Sequence, residues 1–400
     1  MMLRFTLSLF TLAAFTAAAA AQDGFAPLFN GKDLTGWKTV GGNAQFYAED
    51  NILVAETNDE INQTYLVTEK SFGNFIVKLE FKYDSHVDSG FQFRGVMHDK
   101  NVWGYQAQIS ADNNGVLYDE GEKNDWLVNI KDEELKKKTD SLYKADDWNE
   151  LEVQCVGPSL KSKLNGTQVC DLVDIQYNEG FFGIQIHESK TKGKLRIKNI
   201  RIKEFPATPW IPIYGDRQFG SFEVKPVGKW EFNQDENFIR ARTEPGQPKD
   251  GILVSKDVYK DFAVKVSFKM EHGNSGLYFR AAEVDKDYWL KGFQCEIAEN
   301  AAVNAALWEV QGRGWVKRNE PVSGAATKKG DWNDIATVAV GDHLVTFLNG
   351  KTVINIDDPK CAKEGKVGLQ LHGGGNQGCL FRDFYVMPLN DEAVKLIREK

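Results

Sequence analysis

Three short stretches set long hydrogen-bonding side chains at alternate positions. In SGFQFRG (89–95), Gln92 and Arg94 alternate with Phe91 and Phe93; in WGYQAQI (103–109), Gln106 and Gln108 alternate with Tyr105, Ala107 and Ile109; in GIQIH (183–187), Gln185 and His187 alternate with Ile184 and Ile186. Alternate residues of a strand share a face. If the three strands are neighbours, their polar faces make a floor of amide, guanidinium and imidazole groups able to read the hydroxyls of a sugar. The pattern returns in SGLYFRA (275–281) with Tyr278 and Arg280, in GFQCEI (292–297) with Gln294 and Glu296, and in GLQLH (368–372) with Gln370 and His372. Just after the second stretch of each set come LYDEGEKNDW (117–126) and LWEVQGRGW (307–315), so Tyr118, Trp126, Trp308 and Trp315 offer flat walls for a pyranose ring. A merely solvated sheet face carries Lys, Glu and Thr, as Lys78, Glu80 and Lys82 do here. Gln, His and Arg recurring at matched places favour a carbohydrate site over that reading.

The elements that must position these residues are strands, and the chain contains them twice. NFIVKLEFKY (74–83) matches DFAVKVSFKM (261–270), DDWNELEV (146–153) matches GDWNDIATV (330–338), and LNG recurs at 164–166 and 348–350. SGFQFR and SGLYFR are separated by 275 − 89 = 186 residues, and the other matches keep offsets of 184 to 188, so a whole domain is duplicated. Phe75, Val77, Leu79, Phe81 and Tyr83 share one face of a strand while Lys78, Glu80 and Lys82 share the other. Asn-Gly in each LNG supplies the positive φ angles of a tight hairpin turn. Many short strands and little helix predict an all-β protein of two tandem antiparallel sandwiches, at 23–205 and 213–390. PATPWIP (206–212) is the expected linker, because three prolines interrupt strand pairing. DEAVKLIREK (391–400) reads as a short helix or frayed tail, and KDEELKKK (131–138) as a charged surface turn of helix.

Composition narrows the function. A formal charge of −8 and a pI near 5.5 argue against nucleic acid, whose phosphates want a basic face. Arg4, the apolar run Phe5–Phe15 and the alanines that follow read as a signal peptide over 1–21, cleaved to leave a periplasmic or secreted protein with no membrane anchor. Of five cysteines, Cys361 and Cys379 are a candidate clip; Cys155 and Cys170 flank an intervening strand, which holds them roughly 10 Å apart, and free thiols are the expectation. No cofactor is implied. A structural calcium is compatible with the fold, but no clustered Asp/Asn loop specifies one. Sugar identity and oligomeric state are not readable.

In order along the chain, LFNGKDLTGW (28–37), SGFQFR, GYQAQI, LYDEG, DDWN, LNG, GIQIH and KNIRIKEF resemble the 3-keto-disaccharide hydrolase domain family, once a domain of unknown function; the second half is similar from SGLYFR to LFRDFYVMPL. The resemblance implies a concanavalin-like jelly roll in each copy. It also implies cleavage of glycosides whose sugar bears a ketone at carbon 3. That ketone acidifies the proton on carbon 2, a base removes it, and the leaving group departs from carbon 1. On this reading Glu296 or His372 is the base, Arg280 and Gln294 hold the enolate oxygen, Glu309 protonates the leaving group and Arg313 orients substrate, with Trp308, Trp315 and Gln370 binding it. In copy one Gln108 stands where the family phrase has a carboxylate, and KND replaces GRG; Asp119 and Glu120 remain, so copy one is expected to bind through Arg94, Gln106, Gln108, Tyr118, Asp119, Glu120, Trp126, Gln185 and His187. The alternative is a lectin-like binder without turnover. An endoglucanase needs paired carboxylates, and no Glu-x-Asp-x-Glu strand occurs.

Overall fold

In the computed structural model, residues 23–57, 63–84, 87–99, 101–187, 192–213, 222–225, 227–247, 249–284 and 289–399 are described; the expected signal peptide lies outside them. The chain is almost entirely antiparallel strand. Each copy stacks two sheets, with one hydrophobic core between them. In copy one the first sheet is centred on Asn74–Tyr83, between Asn149–Val156 and Lys194–Phe205. The second runs, neighbour to neighbour, Asp125–Trp126, Leu117–Glu120, Asn101–Ile109, Ser89–His98, Phe181–Ile186, Thr64–Thr68 and Trp37–Gly41. Copy two repeats it as Gly314–Lys317, Leu307–Val310, Trp289–Ala298, Asn274–Val284, Lys366–Leu371, Gly251–Ser255 and Phe222–Lys225. Strands that are neighbours only through long connections give the jelly-roll order that the family resemblance implies.

Period two accounts for the core. Phe75, Val77, Leu79 and Phe81 are buried against Phe91, Phe93 and Phe182 of the facing sheet, and Phe75 meets Phe182 edge-on at 4.7 Å between centroids. Copy two buries Phe262, Val264, Val266 and Phe268 against Phe279, Phe293 and Leu369. All five cysteines are free and buried, so the candidate Cys361–Cys379 clip does not form; burial pushes the Cys155 and Cys295 thiols up to about 12.

The turn motifs do structural work. Asn165 and Gly166 have φ of 50° and 79°, and Asn349 and Gly350 have 49° and 74°, as a two-residue hairpin turn requires. Asn165 Nδ2 donates to Leu142 O (2.7 Å) and Asn149 Oδ1 (2.8 Å), tying the turn to the end of the Glu133–Leu142 helix. Asn349 does the same with Ala326 O (2.8 Å) and Asn333 Oδ1 (2.9 Å), at the end of Glu320–Ala326, a helix that the sequence reading had not anticipated.

The two copies pack against each other through the outer sheet of copy two. Ala263, Ala336, Val338, Val345 and Phe347 are buried there, covered by Val173 and Ile175 of copy one, by Trp210, and by Val394 and Ile397. The last two belong to a helix, Asp391–Arg398, whose C-terminal carbonyls accept from copy one: Gln154 Nε2 to Leu396 O (2.9 Å) and Lys161 Nζ to Ile397 O (2.8 Å). A cation at that end also complements the helix dipole. Within the expected linker, Ile211–Pro212 pairs with Tyr385 and Val386 of copy two.

Candidate functional site

The ladder registers align the expected floor residues in rows. In copy two one row reads Val254, Gly368, Tyr278, Gln294, Trp308 and Trp315 across six strands, and beside it lie Ile252, Gln370, Gly276 and Glu296. In copy one the rows are Val67, Gly183, Gln92, Gln106, Tyr118 and Trp126, then Tyr65, Gln185, Gly90 and Gln108. Gln294, Glu296, Gln370, Trp308 and Trp315 therefore share one face, as Gln106, Gln108, Gln185, Tyr118 and Trp126 do. The aromatic pairs stand edge to face at the end of the floor, Trp308–Trp315 at 5.0 Å and Tyr118–Trp126 at 5.2 Å.

In copy two the amides form a continuous network. Gln294 Nε2 donates to Gln370 Oε1 (2.8 Å) and Ser275 O (3.1 Å); Gln370 Nε2 donates to Asp250 Oδ2 (2.7 Å) and to the Tyr278 hydroxyl (3.2 Å). Burial, and then the charges of Asp250 and Glu296, hold the Tyr278 phenol well above its usual range, so it stays protonated. Glu296, 8% exposed, accepts from the Asn274 side-chain amide. Burial raises its carboxyl from the ordinary 4.5 to about 7, against the Asn274 hydrogen bond and the nearby His372 imidazole, which pull it down. His372 lies at the exposed rim, where Nδ1 contacts Gly373 O at 2.7 Å. A carbonyl only accepts, so Nδ1 carries the proton and Nε2 of the neutral ring is left to take one.

Copy one keeps the layout and changes the chemistry. Gln92, Gln106, Gln108 and Asp88 form a relay, with donor to acceptor distances of 3.3, 3.0 and 2.7 Å. Glu120 stands where copy two has Val310 and accepts from Gln63 (2.5 Å), Tyr65 (3.2 Å) and Gln185 (3.2 Å). Glu120, Tyr65, Gln63 and Trp103 line a hollow of about 360 Å³. His187 follows the end of its strand, its backbone bonded to Asp88.

Five expected site residues lie elsewhere. Arg94 and Arg280 do not face the floor. In each copy the strand carries a bulge, Arg94 and Gly95 opposite Gly104 in copy one, Arg280 and Ala281 opposite Gly292 in copy two. The arginines take φ of 50° and 45°, which breaks alternation and turns the side chain into the end of the sandwich. There Arg94 donates to Gly73 O (3.0 Å), Gly157 O (2.9 Å) and Tyr177 O (3.0 Å). Arg280 donates to Lys260 O (3.0 Å), Gly341 O (2.7 Å) and Ala362 O (3.0 Å), and meets Asp261 at 3.3 Å. Both are fully buried clips between loops. Glu309, Arg313 and Asp119 fail for a simpler reason: Glu309 and Asp119 are odd members of strands whose even members face the floor. Glu309 pairs with Arg313, which also holds Asp358 at 2.6 Å, and Asp119 is buried beside Tyr177 with its carboxyl raised to about 6 by burial. Asn274 and Asp250 were missed. Asp250 shares parity with Ile252 and Val254, so the same alternation rule reaches it; Asn274 opens its strand in a turn and left no periodic signal.

Gly276 and Gly90 explain the glycine in both SG phrases. A Cβ on Gly276 would lie 2.0 Å from Gln294 Nε2, and one on Gly90 2.1 Å from Gln106 Cδ, so the amide lies flat over bare backbone. Gly276→Ala is expected to displace Gln294 from its bonds to Ser275 and Gln370 and to weaken ligand binding about tenfold, the value of one or two hydrogen bonds; titration calorimetry checks it.

Fold and site define a tandem antiparallel β-sandwich protein whose candidate sites are polar sheet faces, one per copy, walled by aromatic rings. The chain belongs to the 3-keto-alpha-glucoside-1,2-lyase-like domain family, which matches it twice, over residues 24–203 and 216–387. Among solved structures it is similar to a Parabacteroides distasonis protein provisionally described as a glycosyl hydrolase (22% identity over 46% of this chain and 95% of that one, TM-score 0.34). It is also similar to the carbohydrate binding module CBM66 of Bacillus subtilis (16%, 42% and 95%, 0.29) and to a Bacillus subtilis protein with a galectin-like fold (12%, 45% and 94%, 0.32). No curated protein matches it.

Proposed function

We propose that copy two cleaves glycosides of 3-keto sugars and that copy one binds carbohydrate. The observation that carries the reading is Glu296, a nearly buried carboxyl at the centre of an amide floor, with its ionisation moved to about 7, where a group can both take and return a proton. Glu296 takes the carbon-2 proton; the electron pair moves onto the ketone oxygen as the enolate and then expels the carbon-1 leaving group, which receives a proton from Nε2 of His372 at the rim once that nitrogen has taken one from solvent. With Arg280 on the reverse side, the enolate is met by a neutral donor, the second Asn274 amide hydrogen. Membership of the family supports this chemistry. Gln108, which has no acid function, replaces Glu296 in copy one and supports a binding role there.

The test incubates the protein with a 3-keto glucoside and with its unoxidised parent. Release of product from the first alone is expected. Binding of both without release from either favours the second reading, a lectin-like protein.

A further inference from the structure

We propose that the cleft between the two copies is a second binding site, for a neutral oligosaccharide chain, which neither copy holds alone. The inference rests on the carbohydrate reading above and adds a location. Two adjoining cavities of about 450 and 700 Å³ lie in the cleft and share Glu122 and Gln176 of copy one with Asn349 and Gly350 of copy two. Both volumes fall in the range of sites that enclose small ligands.

The two copies differ at the cavity wall. On the outer sheet of copy one, Lys78, Glu152 and Lys163 are opposite one another and paired, at 2.6 and 3.1 Å. At the same ladder positions copy two has Lys265, Ala336 and Phe347. The carboxylate is gone and space opens where it stood. Lys265 has no carboxylate within 4 Å among the described residues; its ammonium sits over the rings of Trp210 (4.4 Å) and Tyr385 (5.6 Å), and burial lowers its pKa. A partly buried amine with no carboxylate on it among the described residues, at the wall of a cavity, can donate to a ligand oxygen.

The lining chooses the ligand class. Five carboxylates face four lysines across the two cavities, so neither a polyphosphate nor a polycation is favoured. Amide groups from both copies offer paired donors and acceptors, and Tyr385 offers a ring. Trp126, at the end of the copy-one floor, also lines the cleft, so a chain resting on that floor continues around the sheet edge into it.

The experiment titrates the full chain with linear gluco-oligosaccharides of one to six rings, both β-1,4 and α-1,4 linked. For the wild type, affinity for one series is expected to rise about tenfold between two and six rings, the value of a few added hydrogen bonds. Ala336→Glu, which restores the copy-one pairing opposite Lys265, is expected to remove that gain and to leave two-ring affinity unchanged. Gln176→Ala, altering a partly exposed side chain that bonds Glu122, is expected to reduce the gain about threefold and decides the matter if Ala336→Glu does not fold. Affinity in the wild type that does not grow with length, or an undiminished gain in the variants, overturns the cleft site while the floor reading stands. Failure of every saccharide to bind overturns the cleft site and leaves the reading of copy two to the 3-keto glucoside test.

Discussion

Glu296→Gln is expected to cut kcat/KM on a 3-keto glucoside by about a hundred- to ten-thousand-fold, the usual contribution of a positioned base. The amide keeps the size of the side chain and loses only its ability to hold a proton. The wild-type rate, if Glu296 is the base, rises with pH through about 7, where the carboxyl ionises, and the variant's residual rate loses that step. A wild-type rate in the variant removes Glu296 from the centre of the chemistry.

The same substitution has a stability signature of fixed sign. The folded protein holds the Glu296 proton up to about 7, whereas the unfolded chain releases it near 4.5. Between those values the folded state binds more protons, so stability falls as pH rises, by about 3 kcal/mol in total. Glu296→Gln removes this slope and is expected to leave the variant more stable than wild type above pH 7, as urea unfolding at pH 5 and 8 would show. Equal slopes would mean that the carboxyl is not desolvated.

Arg280→Ala is expected to destabilise copy two by about 3–5 kcal/mol, the cost of removing one member of a buried, hydrogen-bonded ion pair. Three backbone carbonyls would lose their donor, and the Asp261 carboxylate would be left with the Gly341 N–H, in a buried site. Arg280→Lys restores the charge without the planar fork that reaches three loops, so it is expected to recover less than half of the loss. The sequence reading set Arg280 on the enolate oxygen; the structure turns its side chain away from the floor onto the carbonyls of three loops. Full stability with lost turnover, measured by denaturant midpoint and rate together, would return Arg280 to the site.

Where alternation ran unbroken, the sequence was a sound guide. Gln106, Gln108, Gln185, Gln294, Glu296 and Gln370 lie on one face because nothing interrupts period two between them and the buried residues on either side. Arg94 and Arg280 escaped because a bulge adds a residue without any signal in side-chain polarity, only a positive φ that a sequence does not display. Glu309 and Asp119 were chosen for their chemistry, although parity with Trp308 and Tyr118 already excluded them. The packing between copies was illegible for another reason: Ala336 and Phe347 on an outer face look like ordinary strand residues until something covers them.

The bulged arginines, the hairpin asparagines and the facing phenylalanines maintain the shape of each sandwich from its rear and its ends, away from the amide floor. Scaffold and chemistry are therefore borne by different atoms. One twin can therefore carry an amide where the other carries an acid, and the other can lack a surface ion pair that the first keeps, with the architecture common to both.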